Sequence, residues 1–519
     1  MRVPFSVVAA TLASAQRSQS ELERLVPWQL PDWSMVGYKS GTVEPVAPAR
    51  TFPVIEYGAV PDDDIDDSDA IQLAVRAAAA ARGGTVYLPP GRLIISKPIN
   101  ITTSNIVLQG AGRNETRLYM PMSLSEALPR PYINGGNESI YCWRDAFLRA
   151  AGRSMRSGER SRVATIVANA SRGAYDVIVD DPSRIKVGEW LWLFMSDPVL
   201  GPNRGSLVEA MYAYDVHKPM CGGNACFEGL DGQKDLARWA SRVKAINANY
   251  VTFEEPLAIE IFAPDWTPEL HRFTTKTVIR DVGFEEFTIE FPLSPAQPHH
   301  QEKGYNGIDI KFALNAWVRN VSVVNSDHGV MVRFSDRITV TGTHIWATGS
   351  RANRTNIHGH IGVASIAVSD MKVDNFIILQ RMYHDLTVVI GSINNVFHKG
   401  TGYDVNLDGH RGAPFATLWT DINLGRGGRP FGSGGVGREG FPVGGYTTYW
   451  NIRKNLTGSI AIRNGTYLGA CTYGGGAMAY VGNFTTPEVC PYNYVNTIAD
   501  VWPPDLYQAQ VDERAFGGK

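Results

Sequence analysis

Through the second half of the chain, short fragments that alternate aliphatic and polar residues keep returning: Val278-Ile279-Arg280, Phe287-Thr288-Ile289, Ile308-Asp309-Ile310-Lys311, Val321-Ser322-Val323, Val330-Met331-Val332-Arg333, Ile338-Thr339-Val340, Ile366-Ala367-Val368 and Leu386-Thr387-Val388. A helical period is missing. Alternation sends Ile308, Ile310, Val330 and Val332 inward and leaves Asp309, Lys311, Met331 and Arg333 on the outer surface. Gly307-Ile308 and Gly329-Val330 occupy equivalent places about 22 residues apart, a repeat length at which stacked coils bury a continuous core. That register sets Lys311 and Arg333 on neighbouring strands, about 4.8 Å apart, where two cationic heads can grip one sugar unit.

Nearer the start, Val54-Ile55-Glu56-Tyr57-Gly58-Ala59-Val60 reads as a strand, the acidic run Asp62 to Asp69 leads into the Ala-rich stretch Ala70 to Ala81, and Gly83-Gly84-Thr85-Val86-Tyr87-Leu88-Pro89-Pro90-Gly91 opens a second strand. Asp67, Ser68 or Asp69 is expected to accept hydrogen bonds from the free amides of the first helical turn, and the negative cluster suits the positive end of the helix dipole. The Asp/Gly spacing of an EF-hand is absent. This segment resembles the N-terminal signature of the pectate lyase superfamily, in which Tyr/Phe-Gly-Ala, an Asp-rich turn, an Ala-rich helix and Gly-Gly-X-Val-Tyr-Leu-Pro-X-Gly introduce a parallel β-helix. A weaker motif of aliphatic-polar-aliphatic strands with Asn or Gly corners continues over 92–120 and 272–470. The resemblance implies an all-β, right-handed, pectin-lyase-like parallel β-helix with an N-terminal capping helix, and a carbohydrate substrate. It leaves the reaction open, because the superfamily contains lyases, hydrolases and non-catalytic tail proteins.

The remaining organisation follows from composition along the chain. Residues 1–15, with basic Arg2, the apolar run Phe5 to Ala13 and the small-residue site Ala13-Ser14-Ala15, read as an export signal, so the mature chain is expected to begin near Gln16 and to be secreted. Residues 16–50 are Pro-rich and read as an extended arm that packs through its tryptophans. Residues 51–159 form the cap and first coils, and 160–262, with short strands broken by polar turns, read as a small β insertion forming one wall of a groove. The main β-helix and Gly-rich closing loops fill 263–495, and 496–519 is an expected disordered tail.

A net charge of −2 argues against nucleic acid, which needs a clustered basic face, and no segment is long and apolar enough to span a membrane. A monomer is expected. Glycan acceptor motifs stand at Asn100, Asn114, Asn137, Asn169, Asn320, Asn353, Asn455, Asn464 and Asn483. Five cysteines are too few to build the fold; Cys221 with Cys226, and Cys471 with Cys490, are the expected local staples, leaving Cys142 free.

Nine of the eleven histidines fall between His299 and His410, which concentrates the candidate chemistry there. Three groups stand out: Asn356-Ile357-His358-Gly359-His360, Arg381-Met382-Tyr383-His384-Asp385, and Asp404 with Asp408-Gly409-His410-Arg411. Steps from His358 to His384 and from His384 to His410 are each about one coil, so the groups are expected to line one groove. β-Elimination on an acidic polysaccharide needs a base beside the carboxylate, a cation for the enolate-like charge and an acid for the departing oxygen. Lys311, Arg333, His360, Arg381, Tyr383, His384, His410 and Arg411 offer these, with Asp309, His358, Asp385, Asp404 and Asp408 expected to bind substrate. The Lys311/Arg333 pair is similar in spacing to the Lys base and Arg acid of β-helix lyases of the alginate and dermatan type. Those enzymes usually need calcium, which makes calcium the candidate cofactor although no cage for it is evident. A zinc site built from His358, His360, His384, Asp408 and His410 is the rival reading, on a weak strand-borne motif. Hydrolysis instead asks for two carboxyl groups about 5 to 9 Å apart, drawn from Asp309, Asp327, Asp385, Asp404 and Asp408. Asn306-Gly307-Ile308-Asp309, Asp327-His328 and His358-Gly359-His360 echo the polygalacturonase pattern but lack its second Asp and its Arg-X-Lys. A non-catalytic carbohydrate-binding helix is the third reading, against which the concentration of titratable groups counts.

Overall fold

The computed structural model describes residues 30–128, 130–155, 157–199, 203–213, 234–352, 355–435, 439–462, 478–485, 493–498 and 500–517. A single 23-stranded sheet of parallel pairings winds through them, each strand bonding to its counterpart one coil later. The result is a right-handed parallel β-helix with three strand columns. The column that carries the chemistry consists of β1 (Ile99–Ile101), β2 (Leu148–Ala151), β3 (Asn306–Lys311), β4 (His328–Thr341), β5 (Gly359–Ser369), β6 (Met382–Val389), β7 (Leu407–Gly409) and β8 (Phe431–Ser433). Ile308 pairs with Val330 and Lys311 with Arg333, the register the sequence predicts. Ile308, Ile310, Val330 and Val332 all sit in the central core.

One glycine column explains why coils can stack at the start of this face. A Cβ on Gly307 would stand 2.8 Å from the Gly329 carbonyl oxygen, one on Gly329 2.5 Å from that of Gly362, and one on Gly362 2.2 Å from that of Asp385. These contacts leave no space for a side chain. Inside the later coils an aromatic ladder replaces the aliphatic core: Phe397 stacks on Trp419 at 4.2 Å, and Tyr449 on Tyr480 at 4.9 Å. Such offset ring pairs bury large areas with defined geometry.

Several local expectations need correction. The predicted strand from Val54 is a 3-10 turn, Val54–Tyr57, preceded by the short strand Thr51–Pro53, because Gly58 adopts φ 100° and closes the turn. Helix α1 (Ser68–Ala80) covers the end of the core with Ile71, Ala74, Val75 and Ala78. Its N-cap Asp67 makes no capping bond; the carboxylate accepts the Val60 and Ile94 amides instead and so ties two loops together. The expected disordered tail contains helix α2 (Leu506–Gly517), ordered because Leu506 and Tyr507 pack with Trp33, Trp450 and Val481. Trp33, fully buried, donates its indole N–H to the Ala416 carbonyl at 2.7 Å, which fixes the N-terminal arm along the coils.

Residues 161–272 contain a six-stranded antiparallel sheet with its own core, running beyond the expected boundary at 262. It packs on the corner that follows the β3 to β7 face through Ile393, Ala413, Phe415 and Phe441. The indole of Trp192 donates to Asp336 at 2.7 Å across this junction.

The leader, Trp28, all four stapling cysteines, Asn353 and Asn464 lie outside the described residues. Asn100, Asn114, Asn137, Asn169, Asn455 and Asn483 are exposed. Asn320 does not suit a glycan: it is half-buried at a positive-φ corner and its amide nitrogen donates to Glu286. Cys142 is buried with its thiol donating to the Ser139 carbonyl, and burial pushes it up to about 12. Among the described residues no helix is long and apolar enough to cross a membrane.

A buried ionic group holds α2 in place. Asp505 lies 3.0 Å from His398 Nδ1, and Asp374 lies 3.4 Å from His398 Nε2. Burial works against the imidazolium, but the two carboxylates outweigh it and raise the His398 pKa; in return His398 draws Asp374 and Asp505 below the usual carboxylate range. The raised His398 stabilises the fold below about pH 6.5 and ceases to as pH climbs through its folded value; the depressed carboxylates stabilise above about pH 4 and cease to as pH falls through theirs. Melting followed against pH should therefore show this contribution between about pH 4 and 6.5, and the wild-type advantage over His398→Gln should shrink at pH 8.5. An advantage independent of pH would show that the group is not ionised as described.

Candidate active site

The imidazoles gather at one end of the strand column. His384 Nδ1 lies 2.8 Å and His410 Nδ1 3.3 Å from the same Asp408 oxygen, which also accepts the Thr387 hydroxyl at 2.7 Å. His360 Nδ1 is 3.3 Å from Glu302, and its Nε2 is 3.2 Å from Nε2 of His299. His299 stacks on Tyr383 at 4.2 Å, and His360 and His384 stand 5.2 Å apart. Trp143 packs over the group, 5.1 Å from His360, 5.5 Å from His384 and 4.8 Å from His410. Strands β4 to β7 supply His328, His384 and Asp408 directly, whereas His299, His300 and Glu302 arrive on the loop before β3.

Burial sets the electrostatics. It holds His328 at about 3 and His360 well below the ordinary imidazole value, and it lowers His384 against the opposing pull of Asp408. These rings are neutral bases near neutral pH. The two carboxyls diverge: burial, helped by Asp327, pushes Glu302 up to about 8, while His384 and His410 overcome burial and hold Asp408 far below the carboxylate range.

Residues 51–137 match the family model described as rhamnogalacturonase A/epimerase, pectate lyase-like. That match covers the cap and the first coils, where the chain resembles pectate lyase-like proteins. The chain is similar to mannuronan C5-epimerase AlgE3 and to alginate lyase 7, both of Azotobacter vinelandii, at 44% identity over 75 and 71 residues. Those stretches are 13% and 12% of this chain and only 4% and 8% of the relatives, so the chain spans a small part of the curated proteins it matches. Among solved structures it resembles the tailspike gp61 of Pseudomonas phage phi297, with 13% identity, a TM-score of 0.48 and coverage of 86% of this chain and 72% of that one. It also resembles an exopolygalacturonase of Thermotoga maritima, with 11% identity, a TM-score of 0.39 and coverage of 93% and 95%.

The strand face does not bring all thirteen sequence-nominated residues together. His360, Tyr383, His384, His410 and Asp408 converge, while Lys311 and Arg333 do not join them. In register, Lys311, Arg333, Ile366 and Val389 are successive neighbours and His410 follows Gly409 on the next strand, a separation of four strand spacings or about 19 Å. Apolar Met331, Ala364 and Ile366 lie between. Asp309 and Arg333 point outward as alternation requires, yet both are buried, because the face is covered and the two hold each other through paired bonds. Lys311, half-buried beside Arg333, has its pKa lowered first by burial and then by that neighbour. Arg381 is 3.3 Å from Asp404, and Arg429 binds Asp385 and the Met382 carbonyl. Asp385 also accepts the Met382 and Asn406 amides, so it supports the corner rather than meeting substrate. Arg411 donates to the Gly440 carbonyl, and His358 faces the Arg351 amide rather than the other rings.

The hydrolase pair Asp309/Asp327 fails for a similar reason. Asp327 is buried against Arg351 at 2.8 Å and accepts the Gly304 and Tyr305 amides. With Asp309, Asp327, Asp385 and Asp404 each engaged by an arginine, these residues do not fit a calcium cage, which takes six to eight free oxygen ligands. Glu302, His299, Trp143 and Arg429 are the site residues that the sequence left unnominated.

Proposed function

We propose that the chain is a secreted polysaccharide lyase that cleaves a uronic-acid-containing polymer, with its centre at Asp408, His410 and Tyr383. The observation that carries this reading is the Asp408 carboxylate shared by two imidazoles beside the partly exposed Tyr383. Asp408 at Nδ1 orients His410 so that its other ring nitrogen accepts the proton from the carbon bearing the uronate carboxylate. The released electron pair forms the new carbon–carbon double bond as the glycosidic oxygen leaves, and Tyr383 supplies the proton that oxygen needs. The epimerase and lyase names among the short relatives support a uronate substrate, since both reactions begin by removing that proton.

A second reading rests on Glu302 and Asp408, a protonated carboxyl and an ionised carboxylate in one cluster, which is the pairing a glycoside hydrolase requires. Incubation with pectate, alginate, glucuronan and dermatan separates the readings. Elimination gives an ultraviolet-absorbing unsaturated end and no incorporated water; hydrolysis gives reducing ends heavier by one water and no such absorbance, and that result would overturn the lyase assignment.

A further inference from the structure

We propose that His299, His360 and His384 form a binding site for one divalent transition-metal ion of the zinc class. Their candidate ligand atoms all lie within 4.8 Å of one another. The two Nε2 atoms of His299 and His360 are 3.2 Å apart, and two imidazole nitrogens bound at about 2.0–2.1 Å to one tetrahedral ion stand about 3.3 Å apart. Nδ1 of His360 lies 3.3 Å from Glu302 and Nδ1 of His384 2.8 Å from Asp408, so a carboxyl group stands close behind each ring, in position to orient it toward a metal. Nε2 of His384 is buried and has no hydrogen-bond partner among the described residues. A ligand set of three neutral imidazoles selects a borderline transition ion over calcium, which prefers oxygen. The exposed His299 gives the ion a route in and leaves an outer coordination position open to substrate.

The ion's role rests on the elimination reading. That reaction needs a cation beside the uronate carboxylate, and Lys311 and Arg333 stand four and three strand spacings, about 19 and 14 Å, from His410 along the face. An ion on these histidines stands where the charge develops, leaving His410 and Tyr383 for proton transfer. A second set, His384, Asp408 and His410, shares one ligand with the first. The assignment goes to the three histidines because Asp408 then retains its place behind His384 and His410.

The test is metal content and affinity, measured on the full chain without reference to turnover. After chelation and dialysis, titration with zinc chloride should show one equivalent bound, and cobalt chloride should give the visible absorption of a four-coordinate nitrogen site. His299→Ala, at an exposed position, should weaken zinc at least tenfold. His410→Ala should leave zinc affinity within about threefold, since that ring lies outside the set. Absence of stoichiometric zinc binding, or unchanged affinity in His299→Ala, overturns the site; loss in His410→Ala with none in His299→Ala moves the ion to the second set and overturns the assignment. Zinc bound as described without unsaturated product leaves the site standing and overturns the lyase reading. Full elimination by metal-free protein overturns the ion's proposed role.

Discussion

Replacing Asp408 by asparagine should lower turnover about 10²- to 10⁴-fold, the range over which a positioned acid–base group contributes. Shape is preserved, so the effect is electronic. In the wild type the Asp408 carboxylate meets Nδ1 of His410, which places the proton on that nitrogen and leaves the opposite one free to accept. An asparagine can turn its NH₂ toward Nδ1, which reverses the tautomer and presents a protonated nitrogen to the substrate. Loss of the charge-assisted bonds also costs about 1–3 kcal/mol of stability, so melting is to be recorded on the same samples and turnover expressed per folded molecule. Turnover per folded molecule within about threefold of wild type would remove Asp408 and His410 from the proposed mechanism.

How far such a site could be seen in advance depended on what fixes spacing along the coil. Gly307 and Gly329 predicted the Lys311–Arg333 register correctly, because a backbone position with no space for a Cβ recurs at the same place in successive coils. The same arithmetic misled for His358. The chain between Trp346 and β5 is longer than one regular corner, so Ile361 is the partner of His384 and His360 is the ring beside it. Counting residues cannot see a loop insertion, whereas the glycine that continues the column, Gly362, marks the true repeat. Outward alternation was also legible for Asp309, Met331 and Arg333, but their burial was not, since it comes from segments elsewhere in the chain such as that carrying Trp143. Glu302 and His299 were hidden differently. They lie on a polar, Pro-containing loop with no period, and only the neighbouring coils give them partners. The one available signal was the His299-His300 pair at the edge of the histidine-rich stretch. Conversely, the Arg/Asp pairs that looked like substrate contacts are held by each other, because burying either charge alone is far costlier than burying both.

That same cost makes Arg337→Met the substitution with the largest expected loss of stability, about 3–5 kcal/mol. The Arg337 side chain is fully buried where three parts of the molecule meet. It lies 3.0 Å from Glu255 and donates to the Ala240 carbonyl at 2.7 Å, both on the inserted sheet side; it reaches Asp370 at 3.4 Å on the next coil, and it donates to the Met35 carbonyl of the N-terminal arm at 3.2 Å. Glu255 in turn accepts the hydroxyls of Ser40 and Ser241. Methionine fills most of the volume but strands two acidic groups and two carbonyls. Of these, Asp370 can relieve its own cost by taking up a proton, since burial already pushes it up to about 7 even with Arg337 lowering it. The arm and the inserted sheet should therefore loosen together, seen as faster amide exchange around 35–40 and 237–243 before global unfolding. The triple variant Arg337→Met, Glu255→Gln, Asp370→Asn should recover most of the loss, because it removes the unmatched charges along with the match. A single variant that melts like wild type, or a triple variant no better than the single, would show that the ion network does not join the arm to the coil.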